Sequence, residues 1–161
     1  ITSRGKWYNI SWKGDFRKSG GIATNIVIHF FDTLTWIFGK PKHNIVHLHE
    51  PNTAAGFLDL ERARVRWFLS TDFNTLPEPV KLQNKRTYRL LEMEGEEIEF
   101  SDGFTDLHTQ SYQQILAGKG FGLMEAYPSI EMVHDIRTAK ITELKGDYHP
   151  LLKRTPEKSS V

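Results

Sequence analysis

Residues 19–32, reading Ser-Gly-Gly-Ile-Ala-Thr-Asn-Ile-Val-Ile-His-Phe-Phe-Asp, constrain the fold more than any other stretch of this chain. Val27, Phe31, Leu34 and Phe38 recur at helical spacing, and Ile22, Ile26, Phe30 and Ile37 cover a second side. This pattern predicts one long helix over about 20–38 that is apolar nearly all round, and a helix without a wet face belongs in a protein interior. One narrow stripe breaks the rule. Asn25, His29 and Asp32 follow at i, i+4 and i+7, with Gly21 continuing the stripe at the amino end. Polar groups on a buried helix need partners, and a ligand is one possible partner. The Gly20-Gly21 pair would let such a ligand approach the backbone.

The rest of the chain reads as α+β. Residues 5–13 alternate as a strand, with Tyr8, Ile10 and Trp12 on one side, and 14–19 read as a polar loop. Strands are predicted at about 44–50, 54–60 and 62–72, the first two joined through Pro51-Asn52-Thr53. A Pro- and Asn-containing loop covers 73–85, and a hairpin turns at Gly95 between Thr87–Glu94 and Glu97–Ser101. Helices are predicted over about 104–117 and 128–139, the second with Pro128 in its first turn. Short connections favour an open, largely antiparallel sheet with helices on one face. On the third strand Ala63, Val65, Trp67 and Leu69 should meet the helices. Arg62, Arg64, Arg66, Phe68 and Ser70 point the other way. That second face suits either an interface between copies of the chain or a solvated surface crossed by Arg stems. Residues 1–141 are therefore assigned to one domain. The polar, Lys-, Pro- and Ser-containing stretch 142–161 is expected to be a loosely held tail.

Composition narrows the function classes. A formal charge of +1 with dispersed Lys and Arg points away from nucleic acid. The apolar run 26–38 is shorter than the roughly 20 residues a bilayer requires, so no membrane partner is expected. With no cysteine there can be neither disulfide nor thiolate metal site, which agrees with a cytoplasmic location. His47 and His49 lie two apart on a predicted strand, so both should point to one face near His43. Without a third and fourth ligand in pattern, no metal is expected. No Gly-x-Gly-x-x-Gly follows a strand. Gly118 in Gly-Lys-Gly-Phe-Gly comes after a helical pattern and reads as a helix C-cap.

The stretch 20–32 resembles the Gly-Gly-x-x-x-Asp-x-Gly-x-His-x-x-Asp helix of the carboxy-terminal domain in the Gfo/Idh/MocA oxidoreductases. Gly20, Gly21, His29 and Asp32 match, while Asn25 stands at the usual Asp and Val27 at the usual Gly. Arg4–Tyr8 and Ile10–Gly14 are similar to one subgroup, the UDP-N-acetylglucosaminuronate 3-dehydrogenases of bacterial lipopolysaccharide O-antigen synthesis. So are Gly56–Leu58, Ala63–Leu69 and Phe104–His108, and the resemblance runs from residue 1 to about Thr138. It implies a carboxy-terminal substrate and oligomerisation domain, trimmed from a parent whose amino-terminal Rossmann domain binds NAD. It also implies a UDP-sugar substrate, a homo-oligomer through the free sheet face, and a fragment inactive by itself. A dehydrogenase of another sugar or polyol, and a non-catalytic sugar-binding or assembly domain, remain as alternatives.

Under this resemblance His29 is the catalytic candidate. Oxidising a hydroxyl requires a group that takes its proton, and imidazole titrates near neutrality. It acts either as that base or as an anchor orienting the hydroxyl for a lysine outside the chain. Asn25 cannot take a proton as the usual Asp would, but it can bond a sugar hydroxyl. Asp32 either touches substrate or bonds His29 and fixes its tautomer. Arg4 suits a carboxylate or a diphosphate. Trp7 and Tyr8 would pack on uracil or sugar, against the alternative of ordinary strand packing. Gly20 and Gly21 are the weak cofactor-side candidates. Lys13 reads as a surface charge, and His108 ranks below His29.

Overall fold

The computed structural model describes residues 1–101 and 106–154. Its centre is an antiparallel sheet of β1 (Pro41–His49), β2 (Thr53–Leu60) and β3 (Arg64–Ser70) in the order β1-β2-β3. The turn at 50–53 closes through reciprocal backbone bonds between Glu50 and Thr53. β2 is the middle strand and is buried on both faces. Ala54, Ala55 and Leu58 have no exposed surface. Gly56 is required there because a Cβ would lie 2.2 Å from the Ile45 carbonyl oxygen and 2.6 Å from the Trp67 ring. As expected, Val65, Trp67 and Leu69 share the face that forms the core, and Trp67 stands edge-on to Phe31 at 5.6 Å.

The amino-terminal quarter departs from its pattern. Residues 5–13 are not a strand. α1 (Lys6–Ile10) is a single helical turn, closed when the Ser11 hydroxyl donates to the Tyr8 carbonyl at 2.8 Å. The alternation misled because only Tyr8 of its apolar set is buried, whereas Ile10 is 85% exposed. Residues 14–19 are not a loop throughout. Asp15 caps α2 (Phe16–Ser19) by accepting from the Arg17 amide at 2.9 Å. The predicted long helix is two pieces, α3 (Ile22–Asn25) and α4 (Ile28–Phe38). Gly20 and Gly21 lie outside both, at φ +75° and +83°. The helix breaks within the β-branched run Ile26-Val27-Ile28, whose crowded side chains disfavour continuous helix. The Val27 carbonyl accepts from both Phe30 and Phe31 amides there. Nor is α4 buried all round. Of its residues only Phe31 is buried, and Trp36 is 79% exposed.

Downstream, the expected loop at 73–85 contains a 3-10 turn at Phe73–Thr75 and α5 (Glu78–Leu82). The hairpin forms as β4 (Leu90–Met93) and β5 (Glu96–Glu99), with Glu94 and Gly95 both at positive φ. That geometry is the two-residue turn matched to strand twist. α6 (Leu107–Leu116) lies within the predicted 104–117. Residues 104 and 105 of the expected helix lie outside the described residues. Gly118 follows at φ +71°, as a helix-ending glycine should. α7 (Leu123–Thr138) starts five residues before the expected 128, so Pro128 sits inside it. Glu125 explains the early start by accepting from the Gly122 amide at 2.9 Å, which supplies a cap. α7 packs on α3, α4 and β1, and Met132, Val133 and Ile136 complete the core.

The stretch after Thr142 is not loosely held as far as it is described. The Thr142 amide donates to the Val46 carbonyl at 2.8 Å. The two His47 ring nitrogens lie 3.2 Å from the Thr142 carbonyl oxygen and 3.3 Å from that of Asp147. Arg64 pairs with Asp147, Phe68 meets the His149 ring at 5.5 Å, and Leu152 is buried. Residues 142–152 thus cover part of the sheet face opposite the helices. Residues 155–161 of the expected tail lie outside the described residues.

Candidate functional site

α1 and α3 bring two of the expected site residues together. Tyr8, 2% exposed, has its hydroxyl beside α3, where the Asn25 side-chain amide donates to it at 3.0 Å. Trp7 stands edge-on to Tyr8 at 5.9 Å and keeps 55% of its own surface exposed. Tyr8 is therefore covered and hydrogen-bonded rather than open for stacking, and Trp7 is the ring that faces outward. The Asn25 Oδ1 has no partner among the described residues, which leaves an acceptor beside the anchored Nδ2.

His29 and Asp32 lie on the first turns of α4, both exposed, with no hydrogen bond between their side chains. The helix break at 26–27 separates them from Asn25, so the three do not form the continuous stripe expected of one straight helix. Arg4 is exposed while its amide donates to the Thr71 carbonyl at 3.0 Å, so the backbone is fixed and the guanidinium faces outward.

Gly20 and Gly21 do not form an open cradle for a dinucleotide. A Cβ on Gly20 would lie 2.8 Å from the Thr24 hydroxyl, and one on Gly21 would lie 3.1 Å from the Phe16 ring. The space the glycines leave is filled by the protein, and their positive φ is what the turn demands. The residues of this chain therefore fit a substrate side of a site better than a nicotinamide cradle.

A second feature has no counterpart in the sequence reading. A cleft of about 330 Å³ opens between the 13–14 loop, α2, the start of α3 and the end of β1. Phe16, Ile22 and Pro51 give it apolar walls, Lys13 stands at it, and His49 reaches into it. His49 meets Phe16 edge-on at 5.3 Å. Its Nε2 is buried without a hydrogen-bond partner. Such an orphaned group costs about 1–3 kcal/mol. Burial also pushes the imidazole's pKa below its usual value, which favours the neutral ring.

The expectation that His47 and His49 share a face fails for a physical reason. The β1–β2 register shifts between Val46 and Leu48, and the extra residue inverts the alternation. His47 consequently meets residues 142–148 on one face, and His49 meets α2 on the other. Among the described residues no group of three or more His, Asp or Glu is arranged to hold a metal ion, and no helix is long and apolar enough to cross a membrane. No local signal in the sequence marks the cleft, because a bulge, a capped turn and a glycine pair assemble it from separate segments.

The family model described as "Oxidoreductase family, C-terminal alpha/beta domain" matches residues 1–74. Two crystal structures of the WlbA (WbpB) dehydrogenase from Thermus thermophilus superpose with a TM-score of 0.89. One, in complex with NAD and alpha-ketoglutarate, is 54% identical over 93% of this chain and 49% of its own. The other, in complex with NAD and UDP-GlcNAcA, is 53% identical over 94% of this chain and 49% of its own. The chain thus spans about half the length of these solved relatives. With an α+β fold, an antiparallel sheet and helices on its core face, the chain belongs to the Gfo/Idh/MocA oxidoreductase family, matching that family's C-terminal alpha/beta domain.

Proposed function

We propose that this chain forms the substrate side of an NAD-dependent dehydrogenase. The whole protein would oxidise the C3 hydroxyl of a UDP-linked N-acetylhexosaminuronic acid in lipopolysaccharide biosynthesis. The observation that carries this reading is 53% identity, across nearly all of this chain, to a dehydrogenase crystallised with NAD and UDP-GlcNAcA. A nicotinamide held by the other half of the protein would accept hydride from the carbinol carbon. This chain's residues would manage the hydroxyl and the rest of the sugar.

His29 is exposed at the start of α4, where its imidazole can accept the hydroxyl proton as the carbonyl forms. Asn25 Oδ1 accepts from a neighbouring sugar hydroxyl, and the amide is held in place by the buried Tyr8 hydroxyl. Tyr8 is thus a positioning residue, while Trp7 offers its ring to the ligand. Arg4, fixed through its backbone, would meet the uronate or the diphosphate. Asp32, one turn beyond His29, adds a carboxylate to the same exposed side of α4. Gly20 and Gly21 would serve by shaping the turn into α3.

A homo-oligomer formed through the far sheet face, in the cytoplasm, belongs to the same reading. Because residues 142–152 lie over part of that face, a partner subunit would meet this segment as well as the strands. The test of the function is turnover of UDP-N-acetylglucosaminuronate by the full-length protein, followed by absorbance of reduced nicotinamide. His29→Ala should lower the rate by about 10²–10⁴-fold with the fold intact. Near-normal turnover in that variant would remove His29 as the base.

A further inference from the structure

Every residue from 106 to 125 is exposed, although the stretch holds α6 and the start of α7. A helix that faces water is ordinarily polar on its outer side, and α6 breaks that rule. Its Tyr112, Ile115 and Leu116 share a face at i, i+3 and i+4. Leu116, Phe121, Leu123 and Met124 each keep at least 80% of their surface exposed. Between 107 and 124 Lys119 is the single Asp, Glu, Lys or Arg, in a chain that is 25% charged. No other helix or strand packs substantially on α6 among the described residues. At 10 residues α6 is too short to hold itself in water, where even about 12–15 are marginal. α7 is apolar on two sides. Met132, Val133 and Ile136 turn to the core, while Leu123, Tyr127 and Ile130, at i, i+4 and i+7, turn outward. A helix with two apolar sides has two neighbours. Gly120 keeps the connecting turn close to α6, because a Cβ there would lie 2.9 Å from the Ile115 side chain. An apolar and nearly uncharged surface of this extent suits a permanent partner.

We propose that α6, the turn at 117–122 and the outward side of α7 seat the NAD-binding half of the same protein. The solved relatives are about twice as long as this chain, which leaves room for a second body of similar size. Such a body has a radius of gyration of about 15 Å. On the dehydrogenase reading above, on which the proposal rests, it has to bring a nicotinamide to His29. Phe100, just past β5, stands 5.6 Å from Phe30, the chain neighbour of His29. Asp106, the residue before α6, follows six positions later, so at most about 21 Å of chain separates α6 from that corner. A body seated at His29 therefore reaches α6. A second copy is placed by the same reading on the far sheet face, and α7 packs on the other side of that sheet. The contact fixes the nicotinamide over the substrate side, so it governs turnover and not the affinity for NAD.

The test uses the full-length protein in hydrogen exchange, sedimentation and nicotinamide reduction with UDP-N-acetylglucosaminuronate. In wild type the amides of α6 should exchange at least about 100-fold more slowly than those of an unstructured chain. Leu116→Asp combined with Met124→Asp should quicken them by about tenfold or more, with β2 as protected as in wild type and the assembly mass unchanged. The same variant should lower kcat about tenfold by misplacing the nicotinamide, while NAD binds in calorimetric titration as it does to wild type. If the variant fails to fold, cross-linking of wild type through Lys119 answers instead. In a mixture of unlabelled and nitrogen-labelled protein, Lys119 should join residues outside 1–161, and both joined peptides should carry the same label. The proposal is overturned if α6 in wild type exchanges like an unstructured chain, if the folded variant leaves α6 exchange or kcat unchanged, if it lowers the assembly mass, or if Lys119 joins labelled to unlabelled copies. Absence of nicotinamide reduction in wild type with α6 protected would sink the dehydrogenase reading and leave the seat between the two halves standing.

Discussion

The two faces of the three-stranded sheet are held by different physics. On one, Val46, Leu58, Leu60 and Trp67 meet Ile22, Phe31, Met132 and Ile136 from α3, α4 and α7, and the contacts are apolar and close-packed. On the other, His47, Arg64, Arg66 and Phe68 meet residues 142–152 through ring contacts, backbone carbonyls and an exposed ion pair. The first face is non-directional and insensitive to pH. The second is directional and contains titratable groups. Burial of hydrocarbon stabilises one layer strongly, while the other is weaker and conditional.

Four experiments on this chain sharpen or break that contrast. Phe31→Ala empties a fully buried position between α4 and Trp67, and should cost about 3–5 kcal/mol in chemical denaturation. A loss under 1 kcal/mol would mean that the helical layer is not the main source of stability. Leu152→Ala removes the apolar anchor of the other layer and should cost about 2 kcal/mol, the lower end for a buried Leu. Hydrogen exchange should then quicken at the Thr142 amide before it quickens in β2. Equal protection loss in both would merge the two layers into one cooperative unit.

Acid should act on the far face first. Burial and then the Arg66 guanidinium push the His149 pKa down to about 4, from 6.5 in the unfolded chain. The native ring is neutral, and its Nδ1 accepts from the Leu151 amide at 3.2 Å. Because the unfolded chain binds the proton more readily, this contribution is complete above about pH 6.5 and is lost as pH falls toward 4. The melting temperature should therefore drop across that window, and His149→Phe should flatten the drop. An unchanged slope in the variant would discharge His149 from the effect. The smallest expected effect is Arg64→Ala, whose pairing with Asp147 is solvent-exposed and should contribute no more than about 1 kcal/mol, less at high salt. A larger, salt-independent loss would show that the ion pair is integral to docking of the segment.

Much of this molecule was legible locally. The strands at 41–70 combine alternating side chains with a Pro-Asn-Thr turn, and Val65, Trp67 and Leu69 turned to the core as the alternation requires. The Glu94-Gly95 turn and the glycine after α6 carry their conformations in their residue types. At the start of the chain the alternation over 5–13 does not mark a strand, because of its apolar members only Tyr8 is buried and the backbone closes a helical turn at Lys6–Ile10 instead. The glycines that delay the predicted long helix and the Ile26-Val27-Ile28 run that divides it are visible in the sequence, but apolar periodicity outweighs them.

At the candidate site the same division holds. Residue types alone singled out Asn25, His29 and Asp32, and the resemblance to the family's helix motif marks the same three positions. Their arrangement is another matter. Tyr8 finds Asn25 across 17 positions, His47 finds the Thr142 carbonyl across 95, and one bulged residue sends His47 and His49 to opposite faces. Periodicity is a property of neighbouring residues, so a chain can declare its strands, turns and motifs without any partner. A hydrogen bond or cleft between distant segments arises from their packing, and the free energy that selects it exists only once those segments meet.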